Sequence, residues 1–281
     1  MTELSAVVVN YNSGPFLERC LGSLMRAEGA PAEIIVVDNA STDGSEGRAG
    51  QHPPVRMIRN EENRGFAAAA NQGVGLSTHP YVLLLNPDAR MTGGSLEALV
   101  KMAEERPRAG AIGPLVRNAD GSLQPSARKV PSIGEALGHA FVGPFVPNNR
   151  WSRAYTMADW DRRSEREVEW VSGSAMLIRR EAFDQVGGFD EGYFMYVEDV
   201  DLCTRLRAAG WTVLFAPEAE VEHESGVSSR ARFRRLAFEH SRSIYRYFSQ
   251  HRAHGPAVLL KPFVRVALWL RALLVSRGRP R

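Results

Sequence analysis

Short runs that are apolar along their whole length limit what this chain can fold into. Residues 5–10 (SAVVVN), 33–38 (EIIVVD) and 81–85 (YVLLL) show no alternation of apolar and polar side chains. A strand with one wet face alternates, whereas a strand covered on both faces does not. Helix-length segments lie between these runs. Phe16, Leu17, Cys20, Leu21 and Leu24 recur at helical spacing, and Cys20 reads as a small core residue. Ser13 is expected to cap this helix, with Pro15 in its first turn. Val55–Arg59 reads as another strand, and residues 65–77 and 96–105 as further helices. This rhythm predicts an α/β fold with a mostly parallel, Rossmann-like sheet flanked by helices.

The buried runs end on polar residues: Asn10-Tyr11-Asn12, Asp38-Asn39 and Asn86-Pro87-Asp88. In parallel α/β sheets ligands sit beyond the carboxyl ends of the strands. Polar endings on several strands therefore point to one cleft. Residues 106–170 hold several prolines with Trp151, Trp160 and Trp170, and read as loops and smaller elements over it. A strand is expected at 170–180, a helix start at 181–186, a loop into a helix at 187–210 and closing strands at 211–224. From Ala231 the chain reads as helical and basic.

Composition narrows the classes. The 281 residues are 44% hydrophobic and 24% charged, as in a folded soluble protein. Cys20 and Cys203 are the only cysteines, which argues against a disulfide framework or a zinc site and fits a reducing compartment. MTELSAVVVNYN lacks the basic and apolar regions of a signal peptide, so a cytoplasmic location is expected. Residues 1–225 carry 22 Lys and Arg against 31 Asp and Glu, while residues 226–281 carry 13 against one acid, Glu239. An acidic body, 1–225, with a basic extension, 226–281, points to an anionic partner. The body reads as two parts, about 1–105 and about 106–225.

Several devices are missing. No GxGxxG follows the first strand, and neither GxxxxGK[ST] nor GxSxG occurs. Candidate chemistry rests instead on carboxylates. Asp38, an acceptor-only group, suits the N3–H of a uracil or thymine ring, or it makes an Asx-turn. Asp88 suits a hard divalent ion whose shell is completed by substrate phosphates, or it belongs to a turn after Pro87. Glu198, Asp199 and Asp201 crowd four positions, so their mutual repulsion can leave one as a base; the bland reading is an acidic helix start. His223 reads as a neutral metal ligand or as a histidine at the core edge.

Taken in order, VVVNYN (7–12), VVDNASTDGS (36–45), NRGFAAAANQG (63–73), LLLNPDAR (83–90), WVSGSAMLIRR (170–180), GGFDEGYFMYVEDVDLCTRLRAAGW (187–211) and HESGVSS (223–229) span residues 5–230. In these stretches the chain resembles the inverting GT-A glycosyltransferases of family 2, and among them the bacterial rhamnosyltransferase-like group. The resemblance implies a GT-A fold and a nucleoside-diphosphate sugar donor, dTDP-rhamnose before a UDP-sugar. Asp38 would then read the pyrimidine, and Asn10, Asn12 and Asn39 would line the nucleotide cleft. Arg64, Gly65 and Asn71 would lie near the donor. Asn86-Pro87-Asp88 stands where the family often has DxD, so Asp88, with His223, would hold Mg²⁺ or Mn²⁺ beside Asn86. Asp199 would be the general base, oriented by Glu198, with Asp201 supporting the loop or the acceptor.

Residues 255–275 are largely apolar but are interrupted by Lys261, Pro262, Arg265 and Arg271. Such a segment suits an interfacial helix better than a spanning one. With Arg230, Arg232, Arg234, Arg235, Arg242 and Arg246, it suggests peripheral docking on an anionic membrane, where a polyprenyl-diphosphate sugar or glycan would be the acceptor. The bland reading is a helical pair packed on the catalytic body or on a second subunit. Nucleic acid is not expected, because no binding motif accompanies the charge. QxxRW and transmembrane helices, marks of processive synthases, are absent, as is the glycine-rich loop of nucleotidyltransferases. A non-catalytic sugar-nucleotide-binding protein is the non-enzyme rival.

Overall fold

The computed structural model describes residues 2–49, 55–143, 146, 148–224 and 233–277. Arg230, Arg232 and the end of the HESGVSS stretch lie outside the described residues. The first half follows the rhythm read above. Strand β1 (Thr2–Asn10) leads through helix α1 (Phe16–Arg26) to β2 (Pro31–Asp38), then α2 (Ser45–Ala49), β3 (Val55–Arg59), α3 (Phe66–Leu76) and β4 (Tyr81–Leu85). These strands lie in the order β3-β2-β1-β4 and run parallel. The chain moves from β1 to one side and then returns to the other, which opens a crevice beyond the carboxyl end of β1. Asn10 pairs directly with Asp38 across the sheet, and Val8 with Leu85, so the polar strand ends cluster there. Ser13 does not cap α1: Pro15 holds the N-cap position without a side-chain bond, and the Ser13 hydroxyl donates to Asn10 Oδ1.

The second half corrects the expectation of loops. After β5 (Ala89–Met91) and α4 (Ser95–Glu105), strand β6 (Ala109–Arg117) crosses the middle of the sheet. Its sequence, AGAIGPLVR, looks like a loop because it holds two glycines and a proline. Gly113 is a packing residue, since a Cβ there would stand 2.6 Å from Val171 Cγ1. Short pieces follow: β7 (Leu123–Gln124), β8 (Ala127–Arg128), α5 (Ile133–Val142), α6 (Arg150–Thr156), β9 (Arg166–Glu167) and β10 (Trp170–Val171). Strand β11 (Ala175–Arg179) inserts between β4 and β6, antiparallel to both. After α7 (Arg180–Gln185) and α8 (Glu198–Ala208), residues expected to form separate closing strands make one long strand, β12 (Thr212–His223). It runs parallel to β6 and pairs with β5 beyond it. One ten-stranded sheet thus runs through both halves of the body.

Both faces of the sheet are covered, as unalternated strands require. Ala6 and Val8 join α1 and α4 in one cluster, while Val7 and Val9 join α3, α7 and α8 in the other. The basic extension forms α9 (Phe233–His251), a 3₁₀ helix at Gly255–Leu260 and α10 (Lys261–Arg277). Helix α9 packs on the body: Arg246 pairs with Asp190, Tyr193 bonds Gln250, Ser243 donates to Met195 O, and Thr204 meets Tyr247. Helix α10 lies on α9 and buries Leu268 and Ala272.

Candidate active site

At the end of β1, Asn10 and Asp38 form the floor of the crevice, both sealed from solvent. Asn10 Nδ2 donates to Asp38 Oδ1 at 2.7 Å and contacts the Ser45 hydroxyl at 2.9 Å. Asp38 Oδ2 accepts the Ser41 N–H at 3.0 Å, so the turn reading of this residue is realised. Each carboxylate oxygen carries two lone pairs, which leaves acceptor capacity for a further donor. Asn12 takes a left-handed conformation with φ 51° and binds the Thr42 N–H through Oδ1 at 2.8 Å. Asn39 donates to Gly65 O at 2.9 Å and accepts from Asn60, which ties the β2 end to the start of α3. Gly65 has φ +87°, and a Cβ on it would stand 2.4 Å from Phe194 O, so no larger residue fits. Ser41 and Ser45 lie within VVDNASTDGS but carried no expected role, and Asn60 lies outside every quoted stretch, yet all three hold this floor in place.

Two expected donor contacts are engaged elsewhere. Asn71 donates to Phe189 O and accepts the Phe189 N–H, both at 2.9 Å, so it pins the loop that leads to the acids. Arg64 reaches Glu191 at 3.7 Å on the exposed rim.

The NPD turn after β4 meets the end of β12. His223 Nε2 lies 3.1 Å from Asp88 Oδ1 and 3.3 Å from Asn86 Nδ2, with the Asp88 and His223 side chains both 9% exposed. His223 Nδ1 contacts Gln124 Oε1 at 3.1 Å, a partner on β7 that no motif announced. In the tautomer this contact selects, Nδ1–H donates to Gln124 and Nε2 keeps its lone pair. Two acceptors, Nε2 and Asp88 Oδ1, then face each other, with the Asn86 Nδ2 donor 3.3 Å from Nε2, and such a pair suits a bridging cation. Neighbouring ligands of an octahedral ion with bonds of about 2.1 Å stand about 3 Å apart, so the pair fits such an ion. Among the described residues no group of three or more His, Cys, Asp and Glu converges, so Asp88 and His223 stand as a pair there.

The acids lie where α8 begins. Tyr196 and Val197 immediately before them both have positive φ, 69° and 71°. For a β-branched residue this is strained, and such a position costs about 1–3 kcal/mol. The turn aims Asp199 at the loop after β10: its Oδ2 accepts the Gly173 N–H at 3.0 Å and its Oδ1 the Val200 N–H at 2.8 Å. Burial raises the Asp199 pKa, opposed by these bonds and by the charge of Arg128. Glu198 is buried beside it. Burial, then the charges of Asp199 and Asp201, push its pKa well above the carboxylate range, and its Oε2 has no partner among the described residues. Of the two supporting roles expected for Asp201, its contacts fit the structural one. It lies on another face of α8, 1% exposed, locked by Arg205 at 2.7 Å and His251 at 2.7 Å. Its carboxylate ties α8 to α9.

Comparison with known proteins agrees with this geometry. The description "Glycosyl transferase family 2" matches residues 5–187. The chain belongs to glycosyltransferase family 2. A second description, "N-terminal domain of galactosyltransferase", matches residues 154–227. A Mycobacterium tuberculosis (strain ATCC 25618 / H37Rv) protein named N-acetylglucosaminyl-diphospho-decaprenol L-rhamnosyltransferase is 41% identical, over 98% of this chain and 93% of its own. Rhamnosyltransferase WbbL of Escherichia coli (strain K12) is 33% identical over 61% of this chain and 62% of its own. Among solved structures, GalNAc-T7 with UDP, GalNAc and Mn²⁺ superposes with TM-score 0.61 at 17% identity, over 94% of this chain and 54% of that one. Mannosyltransferase PcManGT from Pyrobaculum calidifontis, in complex with GDP-Man and Mn²⁺, gives 0.59 at 19%, over 98% and 72%. The fold is GT-A and the enzyme is a glycosyltransferase.

The buried Glu198 has a consequence for stability. An acid whose pKa rises on folding binds its proton more tightly in the folded state. Its contribution is present at low pH and is lost as pH rises from the ordinary carboxylate range through the raised value. Glu198→Gln is expected to raise the thermal midpoint more at about pH 8 than at about pH 5. Equal midpoint shifts at the two pH values would contradict the burial account.

Proposed function

We propose that this glycosyltransferase moves L-rhamnose from dTDP-rhamnose, with inversion, to a sugar carried on a lipid diphosphate. The observation that carries the reading is the pairing of a base, Asp199, with a phosphate-side ligand pair, Asp88 and His223, at the end of one sheet. The choice of sugar and acceptor is supported by the 41% identity to the rhamnosyltransferase named above, which extends over nearly the whole of both chains. Asp38 suits the N3–H of thymine and of uracil alike, so a UDP-sugar donor is the alternative that a donor screen would separate.

In this reading Asp199 takes the proton of the acceptor hydroxyl while that oxygen forms a bond to the anomeric carbon. The bond from that carbon to the diphosphate oxygen breaks on the opposite face, and the nucleoside diphosphate leaves with the electron pair. The two N–H groups on Asp199 hold the carboxylate in position, and its raised pKa makes it a stronger base than a solvated aspartate. Glu198, kept neutral by burial, adds no second charge beside it. Asp88 and His223 would hold Mg²⁺ or Mn²⁺, which when bound offsets the charge that develops on the diphosphate.

A lipid acceptor also gives the C-terminal helices a use. Leu259 and Phe263 are 75% and 72% exposed, and Val266, Trp269, Leu270 and Leu274 are 48–60% exposed. No described helix is long and apolar enough to cross a membrane. Arg265, exposed and four residues before Trp269, stands beside the apolar face, which suits an anionic lipid surface. Arg271 was expected on that face too; it is turned inward, its Nε buried without a partner among the described residues.

Asp199→Asn is expected to lower kcat for rhamnosyl transfer by about 10²–10⁴ while calorimetry shows unchanged dTDP affinity; full turnover would remove Asp199 as the base. Asp88→Ala is expected to weaken dTDP binding about tenfold with Mn²⁺ present and to change little in EDTA. Equal effects in both buffers would count against the metal pair. Replacing Phe263 and Trp269 by Glu should release the protein from anionic liposomes in a flotation assay, and continued flotation would discard the docking face.

A further inference from the structure

Arg128 is a cation with a fixed position and no counter-ion among the described residues. It ends β8 and pairs with Trp170 across the small β8–β10 sheet. Its guanidinium lies 5.0 Å from the Tyr155 ring and 5.1 Å from the Trp170 ring, and its Nε donates to Pro125 O. Aromatic faces hold a guanidinium without neutralising it. The two terminal nitrogens have no hydrogen-bond partner among the described residues, and neither is among the atoms sealed from solvent. Lys129, the next residue, pairs with Glu135, whereas Arg128 makes no ion pair among the described residues.

A second guanidinium deepens the local charge. Arg162 is 6% exposed and donates only to main-chain oxygens, of Ala127 and Thr156. Burial and the charge of Arg128 lower its pKa. The pair is thus a half-buried positive spot inside an acidic body. The spot also belongs to the neighbourhood of the base. Strand β10 continues into Gly173, whose N–H holds Asp199, and the charge of Arg128 is felt at that carboxylate.

We propose that Arg128 anchors an acceptor subsite whose ligand is a phosphate of the lipid-diphosphate sugar. This rests on the acceptor class given above. In such an acceptor the attacked hydroxyl and the phosphate-bearing carbon belong to the same sugar ring. An anion site within electrostatic reach of the base, but not paired with it, is where that phosphate falls. Arg supplies two parallel N–H donors to a phosphate, and the terminal nitrogens of Arg128 are the ones left open.

The test uses the full chain and farnesyl diphosphate as probe, in EDTA so that cation-assisted binding is suppressed. Arg128→Gln is expected to weaken binding by calorimetry about tenfold, with Arg128→Lys retaining part of it. In transfer assays Arg128→Gln should raise KM for a GlcNAc-diphospho-farnesyl acceptor about tenfold more than KM for octyl GlcNAc, which carries no phosphate. Unchanged farnesyl diphosphate affinity, equal KM changes for both acceptors, or an equal loss of dTDP affinity would each overturn the subsite. Failure of the rhamnosyl reading has a different signature, in which the unsubstituted enzyme transfers rhamnose to neither acceptor while the farnesyl diphosphate comparison still decides the role of Arg128.

Discussion

Everything at this site depends on the parallel register of β1 with β2 and β4. That register sets Asn10 opposite Asp38 and brings the NPD turn alongside. A parallel ladder cannot slip by one residue here without turning the buried faces of Val7 and Val8 over. The polar strand ends are therefore held to the same tolerance as the core. Asn10 shows the cost of that placement. It is a fully buried amide, acceptable only because Asp38, Ser13, Ser41 and Ser45 satisfy it.

The parts that were legible in the sequence are the ones where local pattern and global environment agree. Unalternated strands identify a sheet covered on both faces, and polar strand endings identify its carboxyl edge. Strand β6 was hidden because Gly110, Gly113 and Pro114 look like loop residues, although Gly113 is there to let Val171 approach. Whether Asp201 would support the loop or the acceptor was not legible, because spacing along a chain does not say which side of a helix faces the cleft. Two positions from Asp199 is about half a helical turn, enough to point the carboxylate at α9 instead. Gln124 and Arg128 carry no motif; only the small strands β7 and β8 bring them into the site.

Asp201 also explains why the basic extension is more than an appendage. The turn at Tyr196 and Val197 is strained, and Glu198 is a buried acid without a full set of partners. Both features destabilise the segment that positions Asp199. Helix α9 supplies the opposing contacts: His251 on Asp201, Arg246 on Asp190, Ser243 on Met195 O and the His240 ring against Tyr196. Strain of this kind persists only where surrounding packing over-determines it. The body's acidic loop and the extension's cations are thus two sides of one interface, which the charge boundary near residue 225 marks without revealing.

Charge balance gives the last step. In the proposed reaction a diphosphate donor and a diphosphate acceptor would both approach a body with an excess of acids, and the base between them would have to remain anionic. Burial, which raises the Glu198 pKa and so disfavours its charge, and the salt bridge on Asp201 both reduce the negative charge beside Asp199. Asp88 faces an imidazole instead of a second carboxylate, since Asn86 stands where an acid would repel the same phosphates. Arg128 adds a positive charge within reach of Asp199 without pairing with it, so it eases the approach of an anion and leaves the base free to take a proton. Each of these substitutions of charge lowers the repulsion between enzyme and substrate while keeping one carboxylate available for chemistry.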